Sequence, residues 1–191
     1  METIKSVDGR LLHLGYHQKR YESVLKSFGI YTFHNLCEYL KPPSDGIYKC
    51  RLIYNENIVD ISYTLYIKKQ IKSLKLIYDN KIEYFHKSTS REVINELFEK
   101  KQNCDDILIV KNNLVCDTSI ANIALFKDGI WFTPSKPLLN GTTRQRLLDE
   151  GRLQETNIKV DDLKDYTKLA LLNAMIDFDI IQKYNLKDII C

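Results

Sequence analysis

The sequence predicts an α+β protein built from two small domains. Its 191 residues are 44% hydrophobic and 28% charged, an ordinary balance for a globular chain, and this length allows one large domain or two small ones. The apolar pattern switches along the chain between a helical repeat and runs rich in Ile, Tyr, Leu and Val, which are typical of strands. Turn signals rich in Gly, Asp, Asn and Pro separate these segments. We therefore expect helices packed on sheets.

The first half is predicted to pack helices on one sheet. Asp8-Gly9 is a strong hairpin signal between the first two strands. Tyr21, Leu25 and Phe28 recur at helical spacing, and Gly29 ends that helix. The three later strands are β-branched and aromatic, and we expect them to be antiparallel neighbours. The predicted elements are strands 2–7 and 10–14, helices 16–28 and 32–40, and strands 47–54, 58–67 and 71–78.

The second half is predicted to be richer in strands. Asn112-Asn113 and Asp128-Gly129 are turn signals between strands that we expect to form a β-meander. Gly151 ends a helix that opens at a Thr-rich turn. The predicted elements are an extended run over 82–86, a helix over 90–101, strands 106–111, 114–118, 121–126 and 130–133, a helix ending at 150, a short extended run over 158–160 and a helix from 161.

The change of pattern near residues 79–87 predicts a domain boundary. We expect a small N-terminal α+β domain over 1–80, an interdomain segment over 81–87 and a C-terminal domain over 88–191. Lys87 ends the interdomain segment. Because clefts between domains are favoured places for cofactors, this position is a candidate site.

Composition argues against several classes of protein. The apolar runs are much shorter than the ~20 residues that span a bilayer, and the first residues lack the layout of a signal peptide. A formal net charge of +3 is too mild to indicate nucleic-acid binding. The five cysteines include no C-x-x-C, so we expect no disulfide framework, no metal site and reduced thiols in a cytoplasm.

Lys87 is the first candidate for chemistry. It follows aromatic residues and precedes small ones, where an extended run meets a helix start. Partial desolvation there would lower the pKa of the amine, and a neutral lysine amine is a nucleophile that can form a Schiff base. Most lysines are solvated surface residues, so the position alone does not decide between these two interpretations.

Three polar strings could bind an anionic cofactor. Asp117-Thr118-Ser119-Ile120-Ala121-Asn122 offers a carboxylate for the nitrogen of a pyridine ring, although a solvated acid in a β-turn is more common. Asn140-Gly141-Thr142-Thr143-Arg144 could cup a phosphate at a helix start, or simply cap that helix. Arg20, in His17-Gln18-Lys19-Arg20, could bind a phosphate, or lie on a solvated basic face.

In combination these strings resemble one family. Glu-Thr-Ile-Lys and Asp-Gly-Arg come first, then His-x-x-Arg on a helix and a Lys followed four residues later by Arg. Asp-Thr-Ser-x-Ala-Asn-Ile, Trp-Phe-Thr-Pro and Leu-Asn-Gly-Thr-Thr-Arg follow in that order. This sequence of motifs is similar to the class IV aminotransferases, a pyridoxal-phosphate family that includes branched-chain aminotransferases, D-amino acid aminotransferases and aminodeoxychorismate lyases.

The resemblance implies a fold and a set of site residues. It implies the two-domain D-amino acid aminotransferase-like fold, with a small N-terminal α/β sandwich, a β-rich C-terminal α/β domain, and an N-terminus truncated relative to typical members. It also implies that Lys87 is the Schiff-base lysine. The implied cofactor-binding residues are Arg20, Lys87, Asp117, Ser119, Ile120, Asn122, Thr142 and Thr143. Asp117 stands where the family usually has Glu, and Thr142 where it usually has Ile.

Two reactions are compatible with the resemblance. A 4-amino-4-deoxychorismate lyase would release pyruvate and 4-aminobenzoate for folate biosynthesis, with Lys87 as general base. An aminotransferase of the branched-chain or D-amino acid type would instead pass the amine to a 2-oxo acid. The opening motifs, the Lys87/Arg91 spacing and the Asn140-Gly141 pair most resemble the lyase branch. A non-catalytic family member is a further alternative, against which the intact Lys87 argues.

The same resemblance bears on ligands and assembly. Arg51 and Arg144 are candidates to bind substrate carboxylates, although either could instead be part of a structural ion pair. We expect a homodimer, a small-molecule substrate, and no binding of nucleic acid or membrane.

Overall fold

A computed structural model of the chain describes residues 1–181, 189 and 190. The end of the predicted C-terminal domain, at residues 182–188 and 191, lies outside the described residues. The chain forms two compact units. The first contains Met1–Lys68 and His86–Thr89, and the second contains Lys69–Phe85 and the residues from Ser90 onward. This division differs from the expected 1–80 domain because the strand after Lys69 pairs within the second unit.

The first unit is a four-stranded antiparallel sheet covered on one face by helices. β1 (Glu2–Val7) lies between β2 (Arg10–Leu11) and β3 (Ile47–Tyr54), and β4 (Ile58–Leu65) is the outer neighbour of β3. Helices α1 (Leu14–Ser27) and α2 (Leu36–Tyr39) contribute to the same core as these strands. Alternate residues of β1 are buried, as expected for a strand with one face on a core. The helix expected over 32–40 is reduced to one turn that begins after Asn35, whose side chain caps it.

The second unit contains two sheets. β5 (Leu74–Tyr78), β6 (Asp106–Lys111) and β7 (Leu114–Thr118) form the smaller sheet. The larger has the order β10 (Gln154–Thr156), β9 (Ile130–Pro134), β8 (Asn122–Lys127), β11 (Lys168–Asn173) and β12 (Asp177–Ile180). Helix α3 (Glu92–Phe98), continued by a 3-10 turn, precedes β6, and α4 (Thr142–Asp149) follows β9.

Several strand predictions were wrong in pairing. β5 is not an antiparallel neighbour of β4: it runs parallel to β6, and a parallel pair is joined by a long crossover that local patterns do not reveal. The expected meander is also divided, because β7 and β8 belong to different sheets. The chain changes sheets at a tight corner, Thr118–Ala121, closed by a hydrogen bond from the Thr118 amide to the Ala121 carbonyl at 2.9 Å.

Other differences concern single elements. Residues 82–86 and 158–160 form no named strand, although Lys159 makes an isolated bridge to Leu114. The helix expected from residue 161 is a 3-10 helix, Val160–Asp165. The strands β11 and β12 were not predicted: β11 is a short apolar run that local pattern does not distinguish from a helix, and charged residues interrupt β12.

The structure bears on two of the expected absences. No helix in the described ranges has the length and apolarity needed to cross a membrane. The same residues contain no group of three or more His, Cys, Asp or Glu side chains that could hold a metal ion. Cys37, Cys50 and Cys116 are free thiols, but Cys104 is disulfide-bonded. The expectation of reduced thiols is therefore wrong at Cys104, since sequence spacing does not reveal pairing.

Candidate functional site

Lys87 lies in the short segment that belongs to the first unit. It is half-buried, and its carbonyl accepts a hydrogen bond from the Met1 amine at 2.8 Å. Burial lowers the pKa of that amine to about 6 against the opposing effect of Glu2. Arg20, Lys87 and Arg51 all add to the lowering. The positive charges of these three residues therefore all oppose protonation of the amine that precedes β1.

Arg20 is held by a buried acid. Glu2 is fully buried and accepts hydrogen bonds from Arg20 Nε at 2.9 Å and Nη2 at 2.5 Å. Burial would raise the pKa of Glu2, but Arg20 and His17 hold it at about 2. This bidentate pair fixes the plane of the guanidinium. Arg20, which is predicted to bind the phosphate, is therefore held in one orientation.

His17 completes this group from the other side. Its Nδ1 lies 2.7 Å from Glu2 Oε2, and burial lowers the pKa of the imidazole despite the acid. The ring is therefore neutral near pH 7 and donates from Nδ1, since a carboxylate only accepts. Glu2 and His17 were not predicted as site residues. A detectable signal existed, because Glu2 shares the buried parity of β1 with Ile4, and an acid there requires a partner.

Arg51 lies on the opposite face of the same sheet from buried Cys50 and Leu52. It is directly across from Thr3 on one side and Ser62 on the other. Its Nε is buried and makes no hydrogen bond with any described residue. Such an unpaired buried donor is costly unless it meets an acceptor, which is compatible with the predicted role in binding a carboxylate.

In the second unit, Asp117 is the penultimate residue of β7 and a buried hydrogen-bond acceptor. Its Oδ2 accepts from the Leu138 and Leu139 amides at 2.9 and 3.0 Å, and its Oδ1 accepts from Asn122 Nδ2 at 2.8 Å. Burial nevertheless raises the pKa of Asp117 to about 6. A carboxylate has about four acceptor positions, so one remains for a further donor.

Asn122 and Gly141 are in close contact. The amide of Asn122 donates to Asp117 and also to the Leu139 carbonyl at 2.8 Å, which uses both of its protons. A Cβ at Gly141 would lie 2.0 Å from Asn122 Oδ1, so only glycine fits this position without movement. These contacts make Asn122 a support for the loop that leads into α4.

The first turn of α4 brings together the predicted Thr142, Thr143 and Arg144. All three are buried, and Gly141 precedes the helix as its N-cap. The Arg144 guanidinium donates to the Pro134 carbonyl at 2.8 Å and pairs with Glu155. This pairing favours the structural interpretation of Arg144 over the predicted contact with substrate.

Ser119 and Ile120 form the middle of the Thr118–Ala121 corner. Ser119 is buried, whereas 47% of Ile120 is exposed. The Thr118 hydroxyl accepts from the amides of Ile120 and Ala121 at 3.3 and 3.0 Å. The corner therefore holds its own backbone and leaves the Ile120 side chain outside the core. The predicted site residues thus form two groups, with Lys87, Arg20 and Arg51 in the first unit and the others in the second.

Comparison with known proteins identifies the family. Residues 58–184 match the sequence model of the amino-transferase class IV family. The chain belongs to this family. A Haemophilus influenzae protein of uncharacterised function is 33% identical over 180 residues, which cover 91% of this chain and 96% of that protein. The family predicted from the motifs is confirmed.

Structural similarity confirms the class IV aminotransferase fold. A crystal structure from Haemophilus somnus, provisionally named a 4-amino-4-deoxychorismate lyase, is 32% identical, has a TM-score of 0.84, and covers 91% of this chain and 94% of its own. A Schizosaccharomyces pombe protein, provisionally named an aminodeoxychorismate lyase, is 25% identical over 193 residues, covering 87% of this chain and 82% of that protein. The predicted fold class is therefore correct.

Proposed function

We propose that the protein is a pyridoxal-phosphate-dependent 4-amino-4-deoxychorismate lyase that forms 4-aminobenzoate and pyruvate, with Lys87 as Schiff-base lysine and general base. The observation that carries the proposal is the half-buried Lys87, whose carbonyl accepts from the Met1 amine beside Glu2, the acid that holds Arg20, in a chain that is 32% identical to a provisionally named lyase. The proposal includes a homodimer in the cytoplasm that acts on a small molecule and supplies folate biosynthesis.

The residues present fit pyridoxal phosphate. Gly141 lacks the Cβ that would collide with Asn122, which allows the backbone at the start of α4 to approach a phosphate closely. Asp117 is a buried acid with one acceptor position left, which suits a pyridinium nitrogen. A cation there would favour the ionised form of Asp117, whose pKa burial raises to about 6.

The chain's own residues would then move one proton and release one leaving group. When bound, the cofactor supplies an electron sink for the bond that breaks. Lys87 Nζ would take the proton from the substrate carbon that bears nitrogen and pass it to the leaving oxygen as the carbon–oxygen bond to the enolpyruvyl group breaks, so that pyruvate leaves as its enol. Loss of the proton and of the enolpyruvyl group makes the ring aromatic. The reaction therefore needs no second amino acid.

A cationic face of the first sheet suits a substrate with two carboxylates. Lys5 and Lys49 are directly opposite each other on the face that carries Arg51. Like charges in such a pair destabilise a sheet unless an anion lies between them. The exposed Asp60 lies on the same face, but it is directly opposite Ile53 and not opposite Arg51. We propose that Arg51 binds one carboxylate of the substrate.

An aminotransferase is the second candidate, because the matching family model is that of the aminotransferases. In that reaction Lys87 would return the proton it removes, and a 2-oxo acid would take the amine. The two reactions place the same demand on Lys87 and differ in whether a carbon–oxygen bond breaks.

The decisive experiment supplies enzymatically made aminodeoxychorismate to the reconstituted protein. We expect the native protein to form 4-aminobenzoate and pyruvate in equal amounts. Lys87→Ala should form neither product and should lose the visible absorption of the bound cofactor. Lys19→Ala is the matched control, because Lys19 is exposed on α1. Amine transfer to pyruvate or 2-oxoglutarate without 4-aminobenzoate would show the aminotransferase instead. Protein that cannot be reconstituted with the cofactor would contradict both reactions.

Arg51 has its own test. Arg51→Met should raise the KM for aminodeoxychorismate by about tenfold or more, as expected for loss of a charge-assisted hydrogen bond, with a smaller effect on kcat. An unchanged KM would remove Arg51 from the substrate site.

A further inference from the structure

Two charged residues without a role in the reaction above flank the Thr118–Ala121 corner. Arg91 is the residue before α3, and Asp106 is the first residue of β6. Both lie in the second unit, as does the corner. They come from elements that are separate in sequence, so their convergence on one peptide is a property of the fold.

Arg91 holds the carbonyl of the corner. Its Nη2 donates to the Ser119 carbonyl at 2.6 Å. The backbone of Arg91 is itself anchored, because its carbonyl accepts from the Asn95 amide at 2.9 Å. The Arg91 Nε is buried without a hydrogen bond to the described residues, so the bond from Nη2 to the Ser119 carbonyl orients this guanidinium.

The strand register brings Asp106 alongside the same corner, because β6 runs antiparallel to β7 and Leu108 is directly opposite Thr118. Only 1% of Asp106 is exposed. Its Oδ1 accepts from the Ile107 amide at 2.8 Å, while Oδ2 makes no hydrogen bond with the described residues. Burial raises the pKa of this carboxyl, and Ser119, through its hydroxyl and its amide, opposes the increase. A buried carboxylate is costly to keep, and here it lies beside the hydroxyl of a predicted cofactor ligand.

The geometry restricts Ser119 on both sides of its peptide. A carbonyl held by the Arg91 guanidinium fixes the plane of the Ser119–Ile120 peptide, and the Ile120 amide of the same peptide donates to the Thr118 hydroxyl at 3.3 Å. Asp106 Oδ2 is an open acceptor beside the corner, and it favours rotation of the Ser119 hydroxyl towards it, whereas that hydroxyl otherwise turns freely. Groups that bind a ligand contribute most when such neighbours preorganise them.

We propose that Arg91 and Asp106 are positioning residues that orient Ser119 and Ile120 for an anionic pyridine cofactor. The inference rests on the proposed function, because it takes pyridoxal phosphate as the ligand and Ser119 and Ile120 as residues that bind it. Neither residue needs to contact the cofactor, because each acts through the corner.

The test measures cofactor binding rather than turnover. Apoprotein would be titrated with pyridoxal phosphate, and the dissociation constant and the visible circular dichroism per bound cofactor recorded. Arg91→Met and Asp106→Asn should each raise the dissociation constant by about ten- to hundredfold, the range expected when a supporting residue of a site is lost. They should also change the dichroism, which reports the angle at which the ring is held. Arg91→Lys keeps one donor and should recover part of the affinity.

Two exposed residues serve as matched controls. Arg152→Met and Asp165→Asn change the same residue types at positions that are 52% and 44% exposed, and should leave both signals unchanged. Urea unfolding of each apoprotein checks that the variants fold. If Arg91→Met and Asp106→Asn bind cofactor within about twofold of the native protein with unchanged dichroism, or if their losses follow only their loss of stability, the inference is wrong.

The outcome is separable from that of the proposed lyase. Native protein that binds the cofactor but does not convert aminodeoxychorismate would contradict the lyase and leave these variants informative. Native protein that does not bind pyridoxal phosphate would overturn both.

Discussion

Gly141→Ala tests the support beneath the candidate site. The backbone of Gly141 has φ −71° and ψ 141°, which any residue can adopt, so the backbone itself opposes no substitution. The added methyl, however, would lie 2.0 Å from Asn122 Oδ1 and 3.2 Å from its Cγ. The side chain of Asn122 must therefore move, and it cannot do so while keeping its bonds to Asp117 and Leu139.

The expected cost follows from those two bonds. Both are 2.8 Å long, and one has a buried carboxylate as its acceptor. Loss of a buried hydrogen bond costs about 1–3 kcal/mol, so loss of both bonds should lower the free energy of unfolding of Gly141→Ala by about 2–6 kcal/mol. At this chain length, each kcal/mol lowers Tm by about 2–4 °C. Because the displaced loop precedes α4, affinity for pyridoxal phosphate should fall as well.

Urea and thermal unfolding of the apoprotein provide the assay, with a control and a double mutant. Gly15→Ala is the control, because a Cβ at Gly15 meets nothing within 4 Å; in α1 it should be neutral or stabilise by up to about 1 kcal/mol. Asn122→Ala removes the same bonds and relieves the collision, so Gly141→Ala added to it should cost little more. If the two costs simply add, or if Gly141→Ala unfolds like the native protein, this reasoning is refuted.

Three further predictions concern buried charges. Glu2 has its pKa lowered from 4.5 to about 2, so it stabilises the fold above pH 4.5 and loses that effect as pH falls towards 2; Glu2→Gln should cost about 3 kcal/mol at pH 7, and a difference that persists at pH 2 would contradict this. Asp117 has its pKa raised from 3.8 to about 6, so the free energy of unfolding of the apoprotein should fall as pH rises from 3.8 to 6. This slope should be absent in Asp117→Asn when unfolding is followed across pH. Arg144→Met should lower the free energy of unfolding by about 1–3 kcal/mol while leaving the KM for aminodeoxychorismate unchanged; a raised KM at native stability would instead make Arg144 a substrate ligand.

Local features of the sequence predicted the family, the fold class and most elements. Asp117 and Asn122 are five residues apart, on either side of a short corner, so their contact follows from the chain between them. The Thr-rich turn with Gly141 likewise predicted the start of α4. The start of α4 could be predicted because it depends on neighbours in sequence.

Long-range contacts explain what the sequence could not give. The parallel pairing of β5 with β6 depends on a crossover and not on the strand's own pattern. The hydrogen bonds from the Leu138 and Leu139 amides to Asp117 join residues more than twenty positions apart. Arg144 was a candidate to bind a substrate carboxylate, but in the structure it pairs with Glu155. In each case the partner is chosen by tertiary packing, which single-sequence patterns do not encode.

The return of residues 86–89 to the first unit has a consequence for biosynthesis. As the chain leaves the ribosome, residues 1–68 emerge early, but the segment that carries Lys87 follows only after β5 has been made. The first unit is thus discontinuous, and a fragment ending at Lys68 would lack the carbonyl to which the Met1 amine donates. Proteolytic cleavage between residues 69 and 85 would leave Lys87 joined to the second unit by peptide bonds and to the rest of the first unit by noncovalent contacts, among them the hydrogen bond from the Met1 amine.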